Sequence, residues 1–267
     1  MPRTFLLILA LTAAALLQLP PALSRALAQT GPDAAGTSAA GASSAPGEAR
    51  GALPPTATLV YLTTAVFRLA GLPITMHAHT TTTWRLDGDR YETHLHMETA
   101  DFDQTSHGTL GADGSLIPDR YTEKRPFHNA ESVDIDWPHG RIQFGSAPPV
   151  HAPEPGAQDR LSLQFEIARQ CEQNPERFVP GTIHSVNLIG THDVDPWKFS
   201  VAKEEPVDTG SGPMRAVRFS ARRMVGTVEE TMDIWVGADL RWMPIRIRMV
   251  DRNQSIIDSV LEKADMP

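Results

Sequence analysis

The chain has 267 residues, 41% hydrophobic and 21% charged, the balance of an ordinary globular protein of one large domain or two small ones. Collagen-like, coiled-coil and wholly disordered readings are excluded. The formal net charge of −8 argues against nucleic acid as a partner.

Residues 1–28 read as an export signal. Arg3 supplies the positive start, Phe5–Leu17 is an apolar run broken only by Thr12, and Ala26-Leu27-Ala28 is a small-x-small site that predicts cleavage after Ala28. The apolar run is about 13 residues, too short for a bilayer core that needs about 20. No later stretch approaches that length, so the expectation is a chain that is not membrane-spanning after cleavage and is soluble outside the cytoplasm. Residues 29–56 are almost entirely Ala, Gly, Ser, Thr and Pro. Such a stretch buries too little surface to offset its ordering entropy, and it reads as a disordered linker.

From Ala57 to Pro267 the pattern becomes short alternating runs between turn signals, the signature of a single mainly-β domain. Thr58–Leu69 is a strand, turned by Gly71-Leu72-Pro73. Thr75–Leu86 and Asp89–Thr99 form a hairpin about Asp87-Gly88. Gln104–Gly111, Leu116–Lys124, Ser132–Trp137 and Arg141–Phe144 continue the meander. Asp159–Glu172 breaks it: Leu161, Phe165 and Ala168 recur at helical spacing beside Leu163 and Ile167, Asp159 caps the start and Pro175 stops the end. Strands resume at Thr182–Leu188, Trp197–Ala202, Met214–Ala221, Val228–Val236, Met243–Val250 and Ile256–Leu261. The expected fold is a curved antiparallel sheet or partly open β-barrel of about 11–13 strands wrapped over one principal helix.

A two-residue Asp87-Gly88 loop pairs Leu86 with Asp89, Trp84 with Tyr91, Thr80 with Leu95 and Ala78 with Met97. With Met76 and Leu86, these positions make a mostly apolar face. The opposite face carries His77, His79, His94, His96 and Glu98, with His79 opposite His96 and His77 opposite Glu98. Two His-x-His pairs beside a carboxylate are a donor set for Zn²⁺ or Cu²⁺, so His77, His79, His96 and Glu98 are the weak metal candidates. A one-residue slip would scatter them. In the C-terminal hairpin, Met232 and Ile234 share an apolar face with Met243, Ile245 and Ile247.

Cys171 is the sole cysteine, so no intramolecular disulfide forms, and a small apolar role on the helix is its simplest reading. Gly-x-Ser-x-Gly, His-Glu-x-x-His, Walker and Rossmann patterns are all absent, so the sequence names no catalytic residue and no cofactor. Asp134 and Asp136 share a strand face, the spacing of a paired-carboxylate site, with a solvated strand edge as the simpler reading. His192, Asp193 and Asp195 share a loop without the spacing of a calcium site.

Five stretches carry a resemblance: GLPITMHAHTTTTWRLDGDRY (Gly71–Tyr91), DRYTEKR (Asp119–Arg125), GAQDRLS (Gly156–Ser162), DVDPWKF (Asp193–Phe199) and IWVGADLRWMPIRIR (Ile234–Arg248). In order and spacing the chain resembles an uncharacterised family of exported Gram-negative proteins, domain of unknown function 3108. The last stretch also looks like a hairpin of lipoprotein-carrier-type half-barrels, whose curved sheet wraps a helix and offers an apolar concave surface to acyl chains. Arg241-Trp242-Met243 stands where the family often has Gly-Tyr-Leu. The resemblance implies a periplasmic location and no established activity.

The leading expectation is a non-enzymatic protein binding a lipid or other hydrophobic small molecule on the face formed by Trp84, Tyr91, Leu95, Met97, Met232, Ile234, Met243, Ile245 and Ile247. The alternatives are a scaffold docking to an envelope protein partner and, third, a metal-dependent enzyme using the histidine face.

Overall fold

The computed structural model describes residues 53–69, 72–126, 128–251 and 253–267. The export signal and residues 29–52 of the linker lie outside the described residues. The end of the linker does not behave as one. Leu53 is buried in the core, the Trp84 indole N–H donates to the Pro54 carbonyl at 2.8 Å, and Leu86 N–H donates to the Pro55 carbonyl at 2.8 Å.

The strands are β1 (Thr56–Leu69), β2 (Leu72–Asp87), β3 (Arg90–Met97), β4 (Phe102–Leu110), β5 (Leu116–Lys124), β6 (Glu131–Asp136), β7 (Arg141–Phe144), β8 (Val150–His151) and β9 (Gln158–Asp159). Helix α1 (Ser162–Gln173) follows, then β10 (Ile183–Ile189), β11 (Val194–Val201), β12 (Glu205–Thr209), β13 (Gly212–Val225), β14 (Val228–Gly237), β15 (Met243–Val250) and β16 (Ile256–Asp265). They form one sheet in the order β8-β7-β6-β5-β4-β3-β2-β1-β16-β15-β14-β13-β11-β10-β9, with β12 paired to β13 beside it. The sheet is curved and open, with β8 and β9 at its ends, and α1 lies against its inner face. Three strands were not anticipated: β8 and β9 have two residues each, too few to show alternation, and β12 contains Pro206.

The first hairpin closes differently from the sequence expectation. Asp87 pairs with Arg90, so Gly88-Asp89 is the loop, and every partner moves by two residues: Leu86 faces Tyr91, Trp84 faces Thr93, Thr82 faces Leu95 and Thr80 faces Met97. Gly88 has φ +62°, and glycine at the first loop position is the requirement of a II′ turn rather than the I′ turn implied by reading Asp-Gly as the loop. A shift of two keeps each side chain on its face, because the strand repeat is two. The faces therefore stand as expected while the facing pairs do not.

Three clusters of buried side chains meet at α1. Phe165 and Ala168 pack with Trp84, Tyr91, Leu116, Met243 and Ile245. Leu163, Ile167 and Cys171 pack with Trp197, Phe199, Phe219, Met232 and Ile234. Leu161, just before the helix, packs with Tyr121, Val133, Ile135, Ile142 and Ile189. Trp84 lies between Phe165 and Tyr91, with ring centroids 4.8 and 5.4 Å away. The helix starts at Ser162, later than expected, but Asp159 still serves its start: its Oδ1 accepts the N–H groups of Leu161 and Ser162, each at 2.8 Å.

Candidate functional site

The register sets inner-face side chains in rows across the strands. One row runs Met76, Ala65, Ile257, Met249, Met232, Ala221 and Phe199, from β2 through β1, β16, β15, β14 and β13 to β11. Every member is apolar. The β11 end of the row is buried beneath α1. At the β2 end the cover stops: Ile257 is 38% exposed, Ile74, one step further out, is 39% exposed, and Phe67, Met76 and Met249 are half-buried. The inner face thus keeps an apolar mouth at the end away from the helix.

The nine residues expected to line a ligand face divide accordingly. Trp84, Tyr91, Met232, Ile234, Met243 and Ile245 are buried in the clusters under α1, where side chains of the protein occupy their surface. Leu95, Met97 and Ile247 are only half-buried. Sequence reading missed the mouth residues Phe67, Ile74 and Ile257, and it set Met76 and Met249 on the apolar hairpin faces without including them in the ligand face. Their signal was the same alternation, followed one turn further to the strand ends.

Beside the mouth the inner face turns polar, along the seam where the β10–β11 turn meets β5 and β6. Glu123 accepts from Tyr121 Oη at 2.9 Å and Gln104 Nε2 at 2.8 Å, and Arg125 Nε lies 3.3 Å from it. Arg125 also pairs with Glu131, which His192 Nε2 approaches to 3.1 Å. Arg223 pairs with Asp195 at 2.5 Å and Glu230 at 2.7 Å, and stacks on Trp197. Arg160 sits among Tyr121, Glu123, Asp193 and Asp195. Burial, then the nearby Asp195, push the Asp193 carboxyl above its usual range.

The histidines of the outer face do not assemble as expected. With the two-residue shift, His96 faces Thr81, and His79 lies near Glu98 only through the backbone, Glu98 N–H donating to its carbonyl. His77 Nδ1 is 3.0 Å from Thr64 Oγ1, and His79 Nε2 is 3.1 Å from Glu262. His94 Nε2 and His96 Nδ1 instead share Asp103 Oδ1, at 3.0 and 2.8 Å. Burial acts to raise the Asp103 carboxyl, but the hydrogen bonds and charges of His96 and His94 outweigh it and hold the group below its usual range. Among the described residues no group of three or more His, Cys, Asp or Glu is arranged to hold a metal ion.

A cleft of about 550 Å³ opens on the outer side of β5–β7, lined by Asp119, Arg120, Asp134, Asp136, Arg141 and Gln143 with Ile135, Ile142 and Pro149. Its charges are satisfied within it: Arg120 with Asp134 at 3.2 Å, Arg141 with Asp136 at 3.5 Å. Cys171 is fully buried, and burial pushes its thiol far above the ordinary range, which removes it as a nucleophile. Among the described residues no helix is long and apolar enough to cross a membrane.

Comparison with solved structures supports the architecture. A crystal structure described as a β-barrel-like protein of domain of unknown function DUF1849 from Brucella abortus matches at a TM-score of 0.53 and 11% identity, over 82% of this chain and 100% of that one. A DUF1329 family protein from Desulfovibrio piger ATCC 29098 matches at a TM-score of 0.26 and 8% identity, over 80% of this chain and 86% of that one, a likeness too slight to bear on the fold. No curated protein matches the chain. The sequence model of DUF3108, described as a protein of unknown function, matches residues 60–260, from β1 into β16, and the chain belongs to that family.

Proposed function

We propose that this protein is an exported, periplasmic, non-enzymatic binder of a lipid or other hydrophobic ligand, held at the mouth of the half-barrel. One observation carries the reading: the in-register row Met76–Ala65–Ile257–Met249–Met232 emerges from beneath α1 still apolar, with Met249 and Met76 half-buried and Ile257 exposed. An inward-facing row at a sheet end is ordinarily capped or polar, and exposed contiguous apolar surface marks a binding site more often than a bare surface. The signal-like residues 1–28 support export.

Native mass spectrometry of protein from its own periplasm, followed by lipid extraction, tests the reading. The expected result is a bound mass lost on denaturation and a mature chain starting at Gln29. Ile257→Glu, at an already exposed position, should cut affinity for a fluorescent fatty-acyl probe by about tenfold or more while leaving the fold intact, since a charge must then be desolvated by the chain. Failure of the wild-type protein to bind any acyl probe would overturn the proposal.

A second reading, docking to an envelope protein, draws on β10. Its side away from β11 is paired with β9 only at Leu188 and Ile189, and Ile183 is 67% exposed on the remainder. An open edge of this kind can accept a partner's strand. Loss of a co-purifying envelope protein on Ile183→Lys would favour it.

A further inference from the structure

The mouth is apolar on one side and polar on the other, so it is shaped for an amphiphile rather than for a plain hydrocarbon. The polar side is built mostly of groups that already satisfy one another. Arg125 serves Glu123 and Glu131, and Arg223 serves Asp195 and Glu230. Two groups are left over. Arg160 is enclosed on most sides but keeps some exposure, and its guanidinium has no hydrogen bond or ion pair at contact distance among the described residues. Asp193, at the β10–β11 turn, likewise has no hydrogen bond or ion pair at contact distance for its carboxylate among the described residues.

These two groups straddle Gly190. A Cβ built on Gly190 would stand 2.6 Å from Asp193 Oδ1 and 3.3 Å from Arg160 Nη2. The donor and the acceptor are thus beyond ion-pair contact yet within about 6 Å of each other, on either side of the bare Cα of Gly190. A single oxygen at hydrogen-bond distance, about 2.8 Å, from each side spans such a gap. The notch adjoins the apolar wall. Ile189, next to Gly190, and Leu161, next to Arg160, share a cluster against which the half-buried Leu95 packs.

Charge selects among headgroups. An anion drawn to Arg160 meets Asp193, Asp195 and Glu123, and an ammonium drawn to Asp193 meets Arg160. A hydroxyl meets no repulsion: its oxygen accepts from Arg160 and its proton is donated to Asp193. We infer that Arg160, Gly190 and Asp193 form the headgroup notch of the mouth, and that it takes a neutral, hydroxyl-bearing amphiphile such as a monoacylglycerol. This inference rests on the ligand-binding reading above and adds the headgroup class.

The test is competition against an apolar fluorescent probe by three amphiphiles of equal chain, 1-monooleoylglycerol, oleate and oleylamine, each below its aggregation threshold. In the wild-type protein monooleoylglycerol should compete about tenfold better than either charged analogue, since one satisfied donor–acceptor pair replaces one repulsive contact. Gly190→Ala puts a methyl into the notch, and Asp193→Leu removes the acceptor. Both should bring the three competitors within about twofold of one another, each referred to the apolar probe's own affinity in that variant. Thermal melts of both variants confirm that they are folded. Equal competition by the three headgroups in the wild-type protein, or a preference that survives both variants, overturns the notch and leaves the apolar mouth standing. If the apolar probe does not bind the wild-type protein, the ligand-binding reading itself falls, and the notch with it.

Discussion

Gln254, in the turn between β15 and β16, holds φ +60°, a left-handed conformation that costs a residue with a Cβ about 1–2 kcal/mol. Its side chain is exposed, and its backbone N–H donates to the Asp251 carbonyl at 2.9 Å. Glycine relieves the clash but gives the unfolded chain more freedom, worth about 0.5–1 kcal/mol. Gln254→Gly should therefore raise stability by about 0.5 kcal/mol in chemical denaturation, and a fall would show that the side chain contributes more than its exposure implies. Asp159 is the opposite case, a carboxylate with no exposure at all. Burial pushes its pKa above the usual range, although Ser106, Ser162 and Leu161 donate hydrogen bonds to it. A group whose pKa is raised by folding contributes most below its unfolded pKa, and that contribution is lost as pH rises through the folded value. Asparagine can accept the same two backbone N–H groups and has no charge to desolvate. The stability difference between Asp159→Asn and wild type should shift in favour of the variant as pH is raised from about 4 to 7. A difference that stays constant over that window would contradict the assignment. Neither residue was legible as such in the sequence. Asp159 was read correctly as serving the helix start, but its complete burial follows from β4 and β5 closing over it, which no local pattern encodes.

The helix shows why element type was easier to read than environment. Leu161, Phe165 and Ala168 at helical spacing gave the element, yet Gln164, Glu166 and Arg169 on its other faces are buried as well. A charged stripe ordinarily means a solvated face. Here Glu166 and Arg169 pair at 2.6 Å, and Glu166 Oε2 also accepts the Leu116 N–H at the start of β5, at 3.0 Å. The pair thus fastens α1 to a strand more than forty residues earlier in the chain. Removing one member leaves the other charged and buried. Arg169→Leu should destabilise by about 3–5 kcal/mol, whereas the Glu166→Leu, Arg169→Leu double variant should recover part of that loss. Full recovery is not expected, because the buried Leu116 N–H then lacks its acceptor, at a cost of about 1–3 kcal/mol. A double variant no more stable than Arg169→Leu would show that the pair does not act as a unit. The strands were legible in the same partial way. Alternation identified faces, and a two-residue error in the Asp87–Arg90 turn left those faces untouched. The same error undid the facing histidines, because pairing depends on which two residues make the loop and alternation does not encode that.

An open sheet of this size has two ends to protect and one interior to fill, and the molecule solves both with segments that look dispensable in sequence. The helix fills the interior. The last residues of the Ala/Gly/Ser/Pro-rich stretch brace the rim: Leu53 enters the cluster that holds Trp84, Tyr61 and Phe165, and the carbonyls of Pro54 and Pro55 accept from Trp84 and Leu86. Leu53 is the one large apolar side chain between the expected cleavage site and β1, and composition averaged over residues 29–56 concealed it. Its burial is worth about 2 kcal/mol. Losing Pro54 would also leave the Trp84 indole N–H buried without an acceptor, at a further cost of about 1–3 kcal/mol. A chain beginning at Ala57 should therefore be about 3–5 kcal/mol less stable than one beginning at Leu53. Leu53→Ala in the longer chain should show the apolar part of that loss alone. Equal denaturation midpoints for the two chains would mean that the rim closes without its brace.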